Sequence, residues 1–181
     1  MASVLKPLDV EPYFDMEMFL SVSQESRIGG ELLERIATLW EEWSPHAHAA
    51  SFDCAGQGYL LVWLGDIVDE AIDKAWDTRP SEAFFLNALA QVMCMSLVYS
   101  VVPQVETAGC AAAPKNSPEL GQILAEAGVP YTDGGPTLSR RFAVLTHNPF
   151  RGGCEVCSLI KNCPKGSGAK SLSVELPGYQ M

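Results

Sequence analysis

The cysteines near the C-terminus are the residues of this sequence whose types and spacing are best suited to chemistry. Cys154, Cys157 and Cys163 form a C-x2-C-x5-C pattern, with two glycines directly before the first cysteine and a proline directly after the last. A compact loop of this kind can bring several thiolates to one centre, and thiolates bind iron–sulfur clusters and zinc alike. The pattern therefore predicts a metal-binding loop within residues 137–165.

A fourth ligand has to come from outside this pattern, and the sequence offers two candidates. Cys110 follows Gly109 and precedes three alanines, and it would complete an all-cysteine ligand set for a [4Fe–4S] cluster. His147, with six residues between it and Cys154, would complete a three-cysteine, one-histidine set, which is ordinary for zinc. Structural zinc sites usually combine two short knuckles, and this loop has a single C-x2-C, so the spacing favours the iron–sulfur cluster and leaves zinc as the alternative.

The same residues resemble the iron–sulfur loops of known protein families. The C-x2-C-x5-C pattern is similar to the end of the C-x6-C-x2-C-x5-C loop that holds a [4Fe–4S] cluster in helix–hairpin–helix DNA glycosylases, with His147 at the position of the first cysteine. It also resembles the C-terminal ligand set of iron–sulfur nucleases of the CRISPR-associated and AddB type, in which a separate upstream cysteine is the fourth ligand. The resemblance covers residues 147–164 and implies a [4Fe–4S] cofactor. It implies no catalytic residue, because neither the glycosylase hairpin motif nor a nuclease core is present in the sequence.

The charge of the chain is strongly negative and unevenly distributed. The 181 residues include 22 Asp and Glu against 12 Lys and Arg, a formal net charge of −10. Residues 1–146 contain 20 acidic and 8 basic residues, whereas residues 147–181 contain 2 and 4. An acidic body repels phosphate backbones, which argues against nucleic acid as a partner. Nucleic-acid processing remains a further hypothesis that rests on the loop resemblance and on Arg151, Lys161 and Lys165.

The six cysteines are expected to be reduced thiols in a cytoplasmic protein. The first residues lack a basic segment followed by an apolar run, so no export signal is predicted. Disulfides persist in oxidising compartments, and without export the clustered cysteines indicate metal ligation instead. Cys54 and Cys94 lie among apolar residues and are expected to be small core side chains.

The elements that carry the loop are predicted to be helical. Residues 81–102 are apolar nearly all round, and we interpret them as the buried central helix of the fold. A membrane span is disfavoured because Asn87 and Gln91 interrupt the apolar run and neither end has a basic flank. We expect a mainly α-helical fold with at most one short strand or hairpin, for which Arg141–Thr146 is the candidate. The predicted organisation is an N-terminal arm (1–13), a helical domain (14–136), the metal-binding loop (137–165) and a flexible tail (166–181).

A further predicted helix, Tyr59–Trp76, follows a predicted loop at residues 46–58 and carries an acidic face. Its acidic residues recur at steps of three or four and are Asp66, Asp69, Glu70, Asp73 and Asp77. Like charges at this spacing repel one another. The face is therefore either a solvated surface or a docking surface for a basic protein partner.

The C-terminal tail contains one further pattern. Leu172–Leu176 alternates apolar and polar residues after the Gly- and Ser-rich stretch 166–171, which is typical of an edge strand or a docking peptide. Together, these features predict an iron–sulfur accessory or electron-transfer-linked protein that docks a protein partner. The alternative is a zinc-stabilised interaction module without redox activity. The sequence leaves open whether the protein is an enzyme.

Overall fold

An antiparallel β-sheet packs against a long central helix in the computed structural model, which describes residues 5–133, 135 and 137–163. The strands follow one another in the sheet in the order β1-β2-β3-β4, and each neighbouring pair is antiparallel. In chain order the elements are β1 (Lys6–Pro7), α1 (Met16–Ser23), α2 (Gly30–Trp43), β2 (Ala47–Cys54), β3 (Gln57–Leu64), α3 (Asp66–Thr78), α4 (Pro80–Val101), α5 (Gln104–Ala108), α6 (Pro118–Glu126) and β4 (Ala143–His147).

The prediction of a mainly α-helical fold is wrong, because the sheet makes the protein a mixed α/β structure. The predicted loop at residues 46–58 contains β2, and the predicted helix from Tyr59 is instead β3 followed by α3, which begins at Asp66. β3 is a central strand, and Leu60, Leu61 and Val62 are all fully buried. A strand buried on both faces shows no alternation of apolar and polar residues, so its sequence pattern does not differ from that of a buried helix.

A two-residue turn joins β2 to β3. Cys54 pairs with Gln57, so Ala55 and Gly56 form the whole connection. Their φ values of 51° and 75° are both positive, as a type I′ hairpin turn requires. Asn or Asp usually precedes the glycine of such turns, and the alanine at this position gave the sequence no strong hairpin signal.

The predicted central helix is confirmed as α4. α1 and α3 pack against α4, and so does β3 of the sheet. α4 is the one described helix that is long and apolar enough to cross a membrane, with a mean hydropathy of 1.6 over 18 residues, and 56% of that window is buried inside the structure. Its buried side chains belong to the larger of two core clusters. The smaller cluster lies between the other face of the sheet and α6.

Polar side chains cap two of the helices, and the strand that the sequence predicted is present. Asp15 caps α1 by accepting the backbone N–H of Met18 at 2.9 Å, and Ser117 caps α6 by accepting that of Leu120 at 3.2 Å. The short strand expected near residues 141–146 is β4. The predicted tail at 166–181, including Leu172–Leu176, lies outside the described residues.

Candidate metal centre

The cysteine loop begins directly after β4, and a backbone contact with β3 fixes the position of its first residue. Asn148 donates its backbone N–H to the carbonyl of Gly58 on β3 at 3.0 Å. A side chain at Gly58 would occupy the position of the Asn148 carbonyl oxygen. The glycine therefore permits a close approach of the two backbones at the first residue after β4.

Two short 3-10 turns, Cys154–Val156 and Ile160–Asn162, shape the loop. The backbone N–H of Cys157 donates to the carbonyl of Cys154 at 3.2 Å, and that of Cys163 donates to the carbonyl of Ile160 at 3.5 Å. Cys154 and Cys157 thus lie at the two ends of the first turn, and Cys163 directly follows the second. Each predicted loop ligand is next to a tight turn that restrains its backbone.

The segment that follows Cys110 is hydrogen-bonded to the loop and to β4. Ser158, the residue after Cys157, donates its backbone N–H to the carbonyl of Ala113 at 2.8 Å. Thr146 donates its hydroxyl to the carbonyl of Ala112 at 3.2 Å, and this side chain is buried. Cys110 lies three residues before Ala113, so the candidate fourth ligand is on a segment that borders the loop.

The thiols are accessible, and the structure does not gather them into one coordination sphere. Cys110 and Cys154 are exposed, and Cys157 and Cys163 are half-buried. Among the described residues, no group of three or more His, Cys, Asp or Glu side chains is arranged to hold a metal ion. The donor set suits a thiophilic centre, and the loop would have to close around it on binding.

His147, the alternative fourth ligand, is buried at the end of the edge strand β4. It is 7% exposed, and its ring centroid lies 5.2 Å from that of Tyr59. Its Nδ1 atom is buried and has no hydrogen-bond partner within the described part of the chain. Burial lowers the pKa of His147, and the positive charge of Arg151 lowers it further. The imidazole is therefore kept neutral, as a metal ligand must be.

The two remaining cysteines are core residues, as expected from the sequence. Cys54 and Cys94 are buried, and burial raises the pKa of both thiols, to about 12 for Cys94. Burial in an apolar core disfavours the thiolate that metal binding requires. The candidate ligands that remain are the loop cysteines, Cys110 and His147.

The acidic face of α3 is partly neutralised by two arginines that the sequence did not connect to it. Arg140 lies 2.5 Å from Asp66, and Arg141 lies 2.6 Å from Asp73 and 3.9 Å from Asp69. These arginines precede β4 and are about 70 positions away along the chain, so sequence periodicity could not place them on α3. Three of the five carboxylates therefore have an intramolecular partner.

An open cleft of about 710 Å³ borders the loop. Its lining residues include Cys157, Ser158 and Lys161 of the loop and Lys115 and Asn116 of the segment that follows Cys110. Ser158 and Lys115 were not singled out from the sequence, because nothing in their spacing connects the two segments. The Ser158 hydroxyl oxygen is buried without a hydrogen-bond partner in the described structure.

Of the basic residues predicted around the cysteines, Arg151 and Lys161 are exposed, and Lys165 lies outside the described residues. The prediction of a metal centre rests on the residue types and spacing of the loop alone. No protein-family model matches the chain, and no curated protein or solved structure is detectably similar to it.

Proposed function

We propose that Cys154, Cys157 and Cys163 bind a [4Fe–4S] cluster with Cys110 as the fourth ligand, in an accessory or electron-transfer-linked protein. The observation that carries this proposal is the 2.8 Å hydrogen bond from Ser158 to Ala113. It joins the segment of the fourth cysteine to the loop of the other three, although 44 positions separate Cys110 from Cys154. Two segments that each supply thiolates and are held side by side can close around one cluster.

The exposure of the ligands favours electron exchange over chemistry on an enclosed substrate. Cys110 and Cys154 are at the surface, so a redox partner could approach a centre held there. When bound, a [4Fe–4S] cluster supplies one-electron redox chemistry. The contribution of this chain is to hold the thiolates on two restrained turns and to present them to a partner.

The partner is proposed to be a protein with a basic surface. On the acidic face of α3, Glu70 and Asp77 are exposed and form no ion pair with any described residue, whereas Asp66, Asp69 and Asp73 are close to arginines. A basic partner could pair with these two carboxylates without displacing an arginine. Complementary charge of this kind mainly raises the association rate and selects the partner.

A second candidate function is a zinc-stabilised interaction module in which His147 replaces Cys110. The observation that favours it is the buried Nδ1 of His147, which lacks a hydrogen-bond partner among the described residues. Buried polar atoms are nearly always paired, and coordination would satisfy this one. Zinc has no redox chemistry, so this module would have a structural role only.

Metal analysis of ligand variants separates the two candidates. The protein would be purified without oxygen, and iron, sulfide and zinc would be counted per chain for the wild type, Cys157→Ala, Cys110→Ala and His147→Ala. Cys54→Ala is the matched control, because Cys54 is buried in the core cluster between the sheet and α6 and is not a candidate ligand. We expect about four irons in the wild type, the control and His147→Ala, and loss of iron in Cys157→Ala and Cys110→Ala. One zinc that is lost in His147→Ala would support the second candidate, and absence of metal from all proteins would overturn both.

A further inference from the structure

The outer edge of β4 has backbone groups without partners among the described residues. Leu64 donates its N–H to the carbonyl of Phe142, and Asn148 donates to that of Gly58, both at 3.0 Å. Backbone groups alternate in direction along a strand. The even-numbered residues from 142 to 148 therefore face β3, and the odd-numbered ones face away from it.

These outward groups belong to Ala143, Leu145 and His147. Leu145 is 6% exposed and His147 is 7% exposed, so their backbone groups have little access to bulk water. On the side that faces away from β3, no described backbone group forms a hydrogen bond with Ala143, Leu145 or His147. Because buried N–H and C=O groups in native structures are almost always paired, this edge calls for a partner that supplies backbone donors and acceptors.

A cavity of about 490 Å³ lies along the same edge. Three consecutive β4 residues, Ala143–Leu145, line it, as expected for a cavity that faces a strand from the side. Ala111, Ala113, Met95 and Leu159 also line the cavity and give it apolar walls. Arg141 also lines the cavity, but its guanidinium already lies beside Asp73 and Asp69. The site thus combines a free strand edge with apolar walls.

We propose that Leu172–Leu176 of this chain occupies the cavity and pairs with β4 as a fifth strand. An extended peptide satisfies a free strand edge through its backbone and places alternate side chains in pockets. In this segment Leu172, Val174 and Leu176 alternate with Ser173 and Glu175. Its apolar side chains suit the apolar walls of the cavity.

The length of the chain allows this pairing. The described structure ends at Cys163, four residues after Leu159 at the cavity wall. Eight residues, 164–171, connect Cys163 to Leu172, and they span up to about 26 Å when extended. Pairing within the chain also protects β4 from intermolecular strand addition, to which an open edge is prone. The proposal does not depend on whether the loop binds a metal.

Hydrogen exchange on the full-length chain tests this pairing. We expect slow exchange of the Leu145 amide in the wild type and at least tenfold faster exchange in Val174→Asp, because a charge on the apolar face would expel the segment. Ser173→Asp is the matched control, since it introduces the same charge on the opposite face and should preserve protection. The Leu61 amide faces β2 and is the internal reference for an intact sheet. Equal exchange of Leu145 in the wild type and Val174→Asp, with Leu61 still protected, would overturn the proposal.

A dye measurement tests whether the cavity is open to small apolar molecules. 1-Anilinonaphthalene-8-sulfonate would be titrated into the wild type, Val174→Asp and Ser173→Asp, with its fluorescence as the readout. We expect binding to Val174→Asp only, because the segment excludes the dye from the other two proteins. Equal binding to all three would mean that the cavity is open to small apolar molecules while the segment lies elsewhere, which contradicts the proposal.

Discussion

Ser158 donates its backbone N–H to the carbonyl of Ala113 at 2.8 Å, and this bond connects two segments that are distant in sequence. One segment contains Cys154, Cys157 and Cys163, and the other begins at Cys110. A second bond, from the Thr146 hydroxyl to the carbonyl of Ala112, ties the Cys110 segment to β4. The sheet thus helps to hold both parts of the proposed cluster site in position.

Replacing Thr146 with valine should weaken the attachment of the Cys110 segment to β4. Valine has nearly the same shape but no hydroxyl, so the carbonyl of Ala112, a residue that is 4% exposed, would lose its donor. Leaving a buried acceptor unpaired costs about 1–3 kcal/mol. We expect a corresponding fall in the free energy of unfolding, measured by urea denaturation, together with a lower iron content.

Thr146→Ser is the control for this variant. It keeps the hydroxyl but removes a buried methyl group, so it should lose some stability while retaining the iron content of the wild type. Equal iron content in the valine and serine variants would show that the bond to Ala112 does not help to hold the site.

The stability of the metal-free protein should fall in mildly acidic solution because of His147. Burial lowers its pKa in the folded state, so the unfolded chain takes up a proton first as the pH falls below about 6.5. The stability that comes from keeping this ring neutral is therefore present above that pH and is lost below it. His147→Phe retains a ring against Tyr59 and cannot titrate, so it should lose less stability between about pH 7.5 and about pH 5.5.

Denaturant midpoints at the two pH values test this prediction. His48 is a second histidine whose pKa is lowered by burial, and His48→Gln would be measured alongside to separate its contribution. An equal loss of stability in the wild type and His147→Phe would contradict the assignment of the pH dependence to His147.

Asp69 should be a net cost to stability at neutral pH. Burial raises its pKa more than Arg141 lowers it, and its Oδ1 atom has no hydrogen-bond partner in the described part of the chain. A carboxyl whose pKa is raised by folding contributes stability below its unfolded pKa and loses it as the pH rises. Asp69→Asn should therefore raise the melting temperature at about pH 7, with a smaller gain at about pH 4.

Asp73→Asn is the matched control for this effect. Asp73 is exposed and accepts a 2.6 Å hydrogen bond from Arg141, so its neutralisation should lower stability slightly, by up to about 1 kcal/mol. If Asp69→Asn lowered the melting temperature as Asp73→Asn does, attraction to Arg141 would outweigh the cost of burial.

The hairpin turn between β2 and β3 offers a direct test of the fold. Ala55 has a φ of 51°, a left-handed conformation that costs an alanine about 1–2 kcal/mol. Asparagine adopts this conformation more readily and is common before glycine in type I′ turns. Ala55→Asn should therefore stabilise the protein by roughly 1 kcal/mol in urea denaturation. Destabilisation would contradict the hairpin.

The same hairpin shows why the sequence predicted the helices better than the sheet. The apolar run of α4 and the capping residues of α1 and α6 are local signals, and α4 forms close to where it was expected. In β3, Leu60 and Leu64 have the i, i+4 spacing of a helix, and the apolar residues of α3 continue this spacing. The sequence pattern therefore predicted a single helix across both elements. Burial of β3 on both faces depends on α4 and α6, which no local pattern reveals.

The candidate site was predictable only in part. The spacing of Cys154, Cys157 and Cys163 is a local pattern, and Cys110 was identified by its residue type. The bonds that place its segment beside the loop involve Ala112 and Ala113, which carry no chemical signal in a sequence. The pairing of α3 with Arg140 and Arg141 likewise depends on tertiary structure alone.

The most direct test of the proposed cluster is the visible absorption spectrum of the full-length protein, purified without oxygen and recorded before and after chemical reduction. We expect a brown protein whose broad visible absorption bleaches on reduction, with about four irons and four sulfides per chain. A colourless protein, whether it contains one zinc or no metal, would contradict the assignment of a [4Fe–4S] cluster to Cys110, Cys154, Cys157 and Cys163.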